Sequence, residues 1–245
     1  MPSVQLRPTV KNMGKALQVD VSLLERLYSY DAETPGMRKT MLDVQYRFSQ
    51  ELNAFPSREF YEGRLMTGNV DSATILQPLL LTAFPWPKKG DHAIPTVFVQ
   101  CSAEEDMGGR SKSNIGQVEL VQKIIPLLTK KQNGEESGRT VTVLTPYTKQ
   151  IQELRSRVPP SIVCSTVDAF QGRESDIIVF STVRCNAEGE IGFLDDPRRL
   201  NVMWTRAKLA LVIVGDRRTM STNDLWKRAI EACHCQEVIT VDASG

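Results

Sequence analysis

Two apolar runs decide the fold: Asp176-Ile177-Ile178-Val179-Phe180-Ser181 and Leu209-Ala210-Leu211-Val212-Ile213-Val214. Neither alternates with polar residues. A strand that is apolar at successive positions is buried on both faces, the mark of a parallel sheet covered by helices on both sides. Working outward, Thr96-Val97-Phe98-Val99-Gln100-Cys101, Thr140-Val141-Thr142-Val143-Leu144 and Ile162-Val163-Cys164-Ser165-Thr166 are further predicted strands. Helical patterns separate them, over Gln117 to Leu128, Thr148 to Val158, Pro197 to Lys208 and Thr219 to Cys233. Glu237-Val238-Ile239-Thr240-Val241 is a candidate last strand. Alternating strands and helices give an α/β class with a mostly parallel sheet. In such sheets ligands bind beyond the carboxyl ends of the strands, so residues just after the strands are the first place to look for chemistry.

The first hundred residues have less rhythm. Residues 21–30 form a short amphipathic helix in which Ser22 and Glu25 resemble a capping box. A second helix is expected over Ser49 to Phe60, with Leu52, Phe55 and Phe60 inward and a bend at Pro56. Residues 67–95 contain four prolines and no clear period, and are expected to be an irregular connection across a domain surface.

Composition excludes little. The 245 residues are 41% hydrophobic and 24% charged, with net charge +1, so a basic groove would have to be local. No run reaches the ~18 apolar residues of a membrane span, and the N-terminus lacks a secretory pattern. An intracellular protein, nuclear or cytoplasmic, is therefore expected. Five scattered cysteines suit reduced thiols. Cys233-His234-Cys235 has too few companions for a zinc site, and no metal is expected there.

Two segments concentrate polar chemistry. The first is Ser165-Thr166-Val167-Asp168-Ala169-Phe170-Gln171-Gly172-Arg173-Glu174, between two strands. Gly172 permits close backbone approach to a ligand, Arg173 suits phosphate and Glu174 suits a ribose. The second is Pro197-Arg198-Arg199-Leu200-Asn201-Val202-Met203-Trp204-Thr205-Arg206-Ala207-Lys208. On one helix, Arg199 and Arg206 would point into a common cleft and suit a triphosphate. From spacing alone, a solvated loop and a basic surface helix fit equally well.

Together, Val167 to Glu174, Arg198-Arg199-Leu200-Asn201-Val202 and Thr205-Arg206-Ala207-Lys208 resemble motifs V and VI of superfamily 1 helicases, in the up-frameshift-like branch. Val44-Gln45-Tyr46-Arg47, Ala54-Phe55-Pro56-Ser57 and Phe60-Tyr61-Glu62-Gly63 resemble its motif IV region. Thr145-Pro146-Tyr147 with Gln150, and Gly192-Phe193-Leu194 leading into Asp196-Pro197-Arg198, also match. The resemblance covers roughly residues 4–216, with several motifs in family order.

This resemblance implies a RecA-like fold of the P-loop NTPase class, the second motor domain of an ATP-driven RNA or DNA helicase. It implies boundaries: 1–38 a remnant of the first RecA-like domain, 39–232 the second, and 233–245 a C-terminal strand or tail. It implies that Tyr46 stacks on adenine, that Arg47 contacts the γ-phosphate and that Gln5 senses it. Glu174 would bind ribose with Gly172 near the phosphates, and Arg206 would be the arginine finger. Thr145, Pro146, Tyr147, Ser181, Thr182 and Arg184 would face a single strand of RNA or DNA. Plain packing remains open for Tyr46 and Tyr147, and a surface salt bridge for Arg184.

Three features depart from the family. The first is that the 245 residues contain no phosphate loop of the form G-x-x-x-x-G-K-[ST]. Val4-Gln5-Leu6 matches only the second half of a family motif, so the chain is expected to begin within it. ATP with Mg²⁺ would then bind only with a missing first RecA-like domain, and little ATPase is expected from this chain alone. The second is Met203-Trp204, where the family has Ala-Leu, which adds bulk beside Arg206. The third is Gln117, where the family tends to have Glu. The alternative is a non-catalytic module that binds nucleic acid or protein.

Overall fold

The computed structural model describes residues 6–7, 20–29, 40–68, 71–106, 108–109 and 111–236. In chain order the elements begin with α1 (Leu23–Ser29), β1 (Val44–Gln45), α2 (Gln50–Phe60) and β2 (Met66–Thr67). Next come α3 (Ser72–Leu76), a 3-10 turn (Gln77–Leu81), β3 (Lys88–Lys89), β4 (His92–Ala93) and β5 (Thr96–Gln100). Then follow α4 (Ile115–Thr129), β6 (Val141–Leu144), α5 (Thr148–Arg155), β7 (Val163–Ser165) and β8 (Ser175–Ser181). A 3-10 turn (Gly192–Asp195) leads to α6 (Pro197–Trp204), β9 (Ala207–Gly215), α7 (Arg217–Met220), α8 (Asp224–Glu231) and β10 (His234–Gln236).

Six strands form one sheet in the order β10-β5-β9-β8-β6-β7, and every pairing in it is parallel. The apolar runs explain its two-sided core. On one face, Val97, Val99, Ile177, Val179, Val212 and Val214 pack under α4 residues such as Val121 and Ile124. On the other, Phe98, Ile178, Phe180, Leu211 and Ile213 pack with α2, α6 and α8. Each fully buried side chain of this size contributes roughly 1.5–3 kcal/mol of burial free energy. This is the RecA-like α/β sheet expected from the sequence. Among the described residues, no helix is long and apolar enough to cross a membrane.

Local signals set several helix starts. Ser49 caps α2 by accepting from the Leu52 amide, and Asn114 caps α4 by accepting from that of Gln117. At α1 the Ser22 hydroxyl accepts from the Glu25 amide (3.1 Å), one half of the expected capping box. The Glu25 carboxylate is buried and ion-pairs with Arg7 and, at 3.2 Å, with Arg198 of α6.

Three expectations need correction. Residues 67–95 are not a surface connection: Leu76, Leu79, Phe84 and Trp86 are buried in the core under one sheet face. The prolines hid this, because Pro78 starts a 3-10 turn and so broke the helical period. The helix expected to reach Lys208 stops at Trp204. The Thr205 hydroxyl bonds back to the Asn201 carbonyl (2.8 Å), and Ala207 enters the sheet opposite Ser175. Sheet pairing here outweighs the helix propensity of Ala-Lys. The helix expected over Thr219 to Cys233 is two helices, because Asn223 caps α8 with its side chain. Among the described residues the last strand is His234–Gln236; the candidate at Glu237 to Val241 lies outside them.

Candidate functional site

Parallel strands give the sheet two unlike rims, and polar chemistry gathers at both. Arg173 and Glu174 immediately precede β8, and Arg206 immediately precedes β9, so this cluster lies at the amino ends of the strands. The expectation looked first beyond the carboxyl ends, and this cluster lies at the opposite rim. The loop after β7 runs back along the sheet, carrying Glu174 to the opposite rim.

Arg47 reaches the amino rim from the loop between β1 and α2. Its Nε donates to the Glu174 carboxylate (2.7 Å), and its Nη1 donates to the Thr205 carbonyl (2.8 Å). Glu174 also pairs with Lys208 at 3.1 Å. The Lys208 hydrogen bond, then the charges of Arg47 and Lys208, hold its carboxyl below the usual range. Arg206 donates from Nε to the Val202 carbonyl (3.0 Å) and from Nη1 to the Arg173 carbonyl (3.2 Å). Burial, and after it the Arg47 charge, weaken the hold of Arg206 on its proton. A half-buried guanidinium beside another cation favours an incoming anion. Thus Arg47, Arg206, Lys208 and Glu174 converge, although 127 positions separate Arg47 from Glu174.

Gly172 has φ of +83°, with open space where a Cβ would stand, so glycine is required there by backbone conformation. Tyr46 is 73% exposed, and its ring lies against Gly68, where a Cβ would come within 2.1 Å of the ring. Gln5 lies outside the described residues. Arg199 does not share a cleft with Arg206. It pairs with Asp168 (3.4 Å), and its guanidinium lies 5.7 Å from the Phe193 ring centre.

Trp204 does not crowd the rim. It is 1% exposed and stacks on Phe55 with ring centres 4.3 Å apart. Its indole N–H donates to the Leu52 carbonyl (3.0 Å). In a helix that carbonyl would accept from residue 56, which is proline and has no N–H. The indole therefore replaces the donor that Pro56 removes from α2.

At the carboxyl rim, Thr145 is fully buried, and its hydroxyl has no hydrogen-bond partner among the described residues. Pro146 is half-buried and Tyr147 is buried, its ring 5.7 Å from that of Phe193. Burial raises the Tyr147 phenol above its ordinary value. Ser181 and Thr182 are interior rather than outward-facing. The Ser181 hydroxyl donates to Gln117 Oε1 (2.8 Å), and Thr182 Oγ1 lies 3.5 Å from Gln117 Nε2. Arg184 is interior too, paired with Glu105 at 2.9 Å, so its ion pair is buried rather than superficial. Between them Val183 has φ of +69°, a strained value for a β-branched residue. Gln117 Oε1 accepts from its N–H (2.8 Å), and Asn114 Nδ2 donates to its carbonyl (3.0 Å).

Sequence reasoning passed over Lys208 as a partner of Glu174, Phe193 as an exposed aromatic at the carboxyl rim, and Glu105. Lys208 and Phe193 sat inside quoted motifs, but only the folded rims show what they face. Glu105 carried no sequence signal.

Comparison with known proteins follows the same residues. A family model described as an AAA domain matches residues 19–218. The Regulator of nonsense transcripts 1 homolog of Drosophila melanogaster is 38% identical over 92% of this chain and 19% of its own length. The ATP-dependent helicase NAM7 of Saccharomyces cerevisiae is 36% identical over 85% of this chain and 21% of its own. Helicase sen1 of Schizosaccharomyces pombe is 33% identical over 98% of this chain and 14% of its own. The chain thus spans about a fifth or less of the length of these relatives.

Proposed function

Because the chain belongs to the AAA-domain family of up-frameshift-like superfamily 1 helicases, we propose that it works as the second motor half of an ATP-dependent RNA or DNA helicase. Arg206 is the arginine finger, and Arg47 is a second cation on the γ-phosphate. Glu174 takes the ribose, Gly172 lies near the phosphates, and Tyr46 stacks on the base. The observation that carries this reading is the convergence of Arg47 and Arg206 on the amino rim. Arg47 bonds to the carbonyl of Thr205, the residue next to Arg206. Two cations so placed stabilise charge that builds on a transferred phosphoryl group.

Glu174 ties Arg47 and Lys208 together at this rim, one on each carboxylate oxygen, and each oxygen keeps a lone pair with which to accept from a ribose hydroxyl. The Mg²⁺ and the phosphate loop come from another RecA-like domain, against which this rim closes. Single-stranded RNA or DNA runs along the carboxyl rim. There Phe193 and Pro146 offer surfaces for stacking, and Thr145, Tyr147 and Arg184 support them. Ser181 and Thr182 act from beneath, by bracing the backbone.

In a motor that joins this chain to a phosphate-loop domain, Arg206→Ala is expected to lower kcat by roughly 10³-fold with little change in strand affinity. The 245-residue chain alone is expected to hydrolyse no ATP above background. A joined motor whose turnover survives Arg206→Ala, or hydrolysis by the lone chain that depends on Arg206, overturns the reading.

A further inference from the structure

Tyr46 and Arg47 are consecutive in the chain, yet the function proposed above gives them opposite ends of one nucleotide, its base and its γ-phosphate. Consecutive residues of an extended backbone point to opposite faces, so the segment that carries them decides where both side chains go. That segment is β1 and the turn after it. β1 pairs in parallel with β2 alone, Val44 opposite Met66 and Gln45 opposite Thr67, and the pair lies outside the six-stranded sheet. Two strands of two residues each do not hold a shape by themselves.

Side chains supply what this short ladder lacks. The Gln45 carboxamide has two acceptor and two donor positions, and the turn uses all of them. Its Oε1 accepts from the Arg47 amide (2.8 Å) and from the Phe48 amide (3.1 Å). Its Nε2 donates to the Phe48 carbonyl (2.8 Å) and to Thr67 Oγ1 (2.8 Å). Both ends of the turn are anchored. Phe48 is buried in the core beside α2 and α6. β2 is tied to α2, because Asn53 Nδ2 (2.7 Å) and the Ser57 hydroxyl (2.8 Å) both donate to the Leu65 carbonyl. β2 also seats the tyrosine. The Gly68 amide donates to the Gln45 carbonyl (2.8 Å). The Tyr46 ring fills the space of the side chain that Gly68 lacks, where a Cβ would stand 2.1 Å from Cε1 and 2.4 Å from Cδ1. The rest of the ring is exposed.

We propose that Gln45 and Gly68 are positioning residues of the nucleotide site. Gln45 sets the Arg47 backbone so that its guanidinium reaches Glu174 and the Thr205 carbonyl. Gly68 is the floor on which Tyr46 lies to receive a base. The nucleotide roles of Tyr46 and Arg47 rest on the function proposed above, whereas the hydrogen bonds of the turn do not. Glutamine is specific at position 45. Glutamate has the same shape but no N–H, so it keeps the two accepting bonds, loses both donating bonds and turns a carboxylate oxygen toward the Phe48 carbonyl.

The test makes Gln45→Glu and Gly68→Ala in the 245-residue chain and in a motor that joins it to a phosphate-loop domain. Gly68→Ala meets only one exposed ring, so it is expected to keep the wild-type melting curve whether or not Gln45→Glu does. In the chain, the Arg47 Nε–H is followed by nitrogen-15 NMR and assigned by its absence in Arg47→Lys. Glu174 holds that proton at a donor distance of 2.7 Å, and it is expected to exchange with water roughly tenfold faster in Gln45→Glu. In Gly68→Ala it exchanges at the wild-type rate. In the motor, Gln45→Glu lowers kcat by roughly 10²-fold, the scale of a misplacement of about 1 Å. In an Arg47→Ala background the same change costs less than about twofold, since the side chain it acts through is gone. Gly68→Ala raises KM roughly tenfold with kcat kept, the loss of part of one base stack, and has no effect in a Tyr46→Ala background. Should Arg47→Ala cripple the motor while Gln45→Glu and Gly68→Ala both match the wild type, the inference is overturned and the helicase reading stands. Losses that persist undiminished in the Arg47→Ala and Tyr46→Ala backgrounds overturn it too, because they then act on the fold rather than on these side chains. Should Arg47→Ala and Tyr46→Ala themselves leave kcat and KM unchanged, the proposed nucleotide site fails and the positioning roles fall with it.

Discussion

Replacing Trp204 by Phe is expected to destabilise the fold through a single carbonyl. Phenylalanine keeps the stack on Phe55 but loses the indole N–H that donates to the Leu52 carbonyl at 3.0 Å. No backbone donor can take over, because residue 56 of α2 is proline. Leaving a buried acceptor unsatisfied costs about 1–3 kcal/mol, and the small void left by the missing ring adds about 1 kcal/mol. The total is about 2–4 kcal/mol. At about 2–4 °C per kcal/mol for a chain of this size, the Tm falls by roughly 4–16 °C. The mechanism is separable from simple loss of volume. In a Pro56→Ala background, the backbone N–H gained at that position satisfies the Leu52 carbonyl, and Trp204→Phe then costs only the void. The assay is urea unfolding of the four proteins in the cycle, followed by tyrosine fluorescence and by circular dichroism to check that the transitions coincide. A coupling energy of about 1 kcal/mol or more between positions 56 and 204 is expected. A cost for Trp204→Phe that is equal in both backgrounds refutes the reasoning.

Gly192→Ala places a Cβ 2.3 Å from Arg184 Nη1 and 2.9 Å from the Tyr147 hydroxyl, at a φ of +57° that alanine resists. A loss of about 1–3 kcal/mol is expected in urea unfolding. Glu174 has its folded-state pKa below its ordinary value of 4.5, so its ion pairs contribute stability that is present above pH 4.5. That contribution is lost as pH falls through the folded value. The effect is small because the carboxylate is 42% exposed. Glu174→Gln should remove it, shrinking the acid-side loss of stability relative to wild type in urea titrations at pH 7 and pH 3.5. Gln117→Leu strips the acceptor from the Ser181 hydroxyl and the Val183 amide. It should cost about 2–5 kcal/mol by chemical denaturation, far more than a size-matched change at an exposed site.

The architecture was legible wherever burial is two-sided. Ile177 to Phe180 and Leu209 to Val214 announce a central parallel sheet, because short, β-branched apolar runs that alternate with helical patterns suit strands buried on both faces. Strand edges were legible to within a residue or two, but the amino rim was not, and the reason is geometric. A sequence shows that Glu174 follows a loop and that Arg206 precedes an apolar run. It does not show that the loop retraces the sheet, so the carboxyl-end rule did not lead to the cluster of Arg47, Glu174 and Arg206 on the amino rim. Helix periodicity failed in a related way at Arg206. Ala207 and Lys208 continue the helical pattern after Trp204, and only the pairing of Ala207 with Ser175, a contact 32 positions away in the chain, ends it. The same long-range dependence governs Trp204. By itself, a bulky residue two places before Arg206 threatens its placement. Beside Pro56 it is compensation, since each supplies what the other lacks: a carbonyl without a donor and an indole N–H without an acceptor. The pairs that decide this site, Arg47 with Thr205, Pro56 with Trp204 and Glu105 with Arg184, each lie far apart along the chain. Motifs mark where such pairs begin, and packing alone determines how they meet.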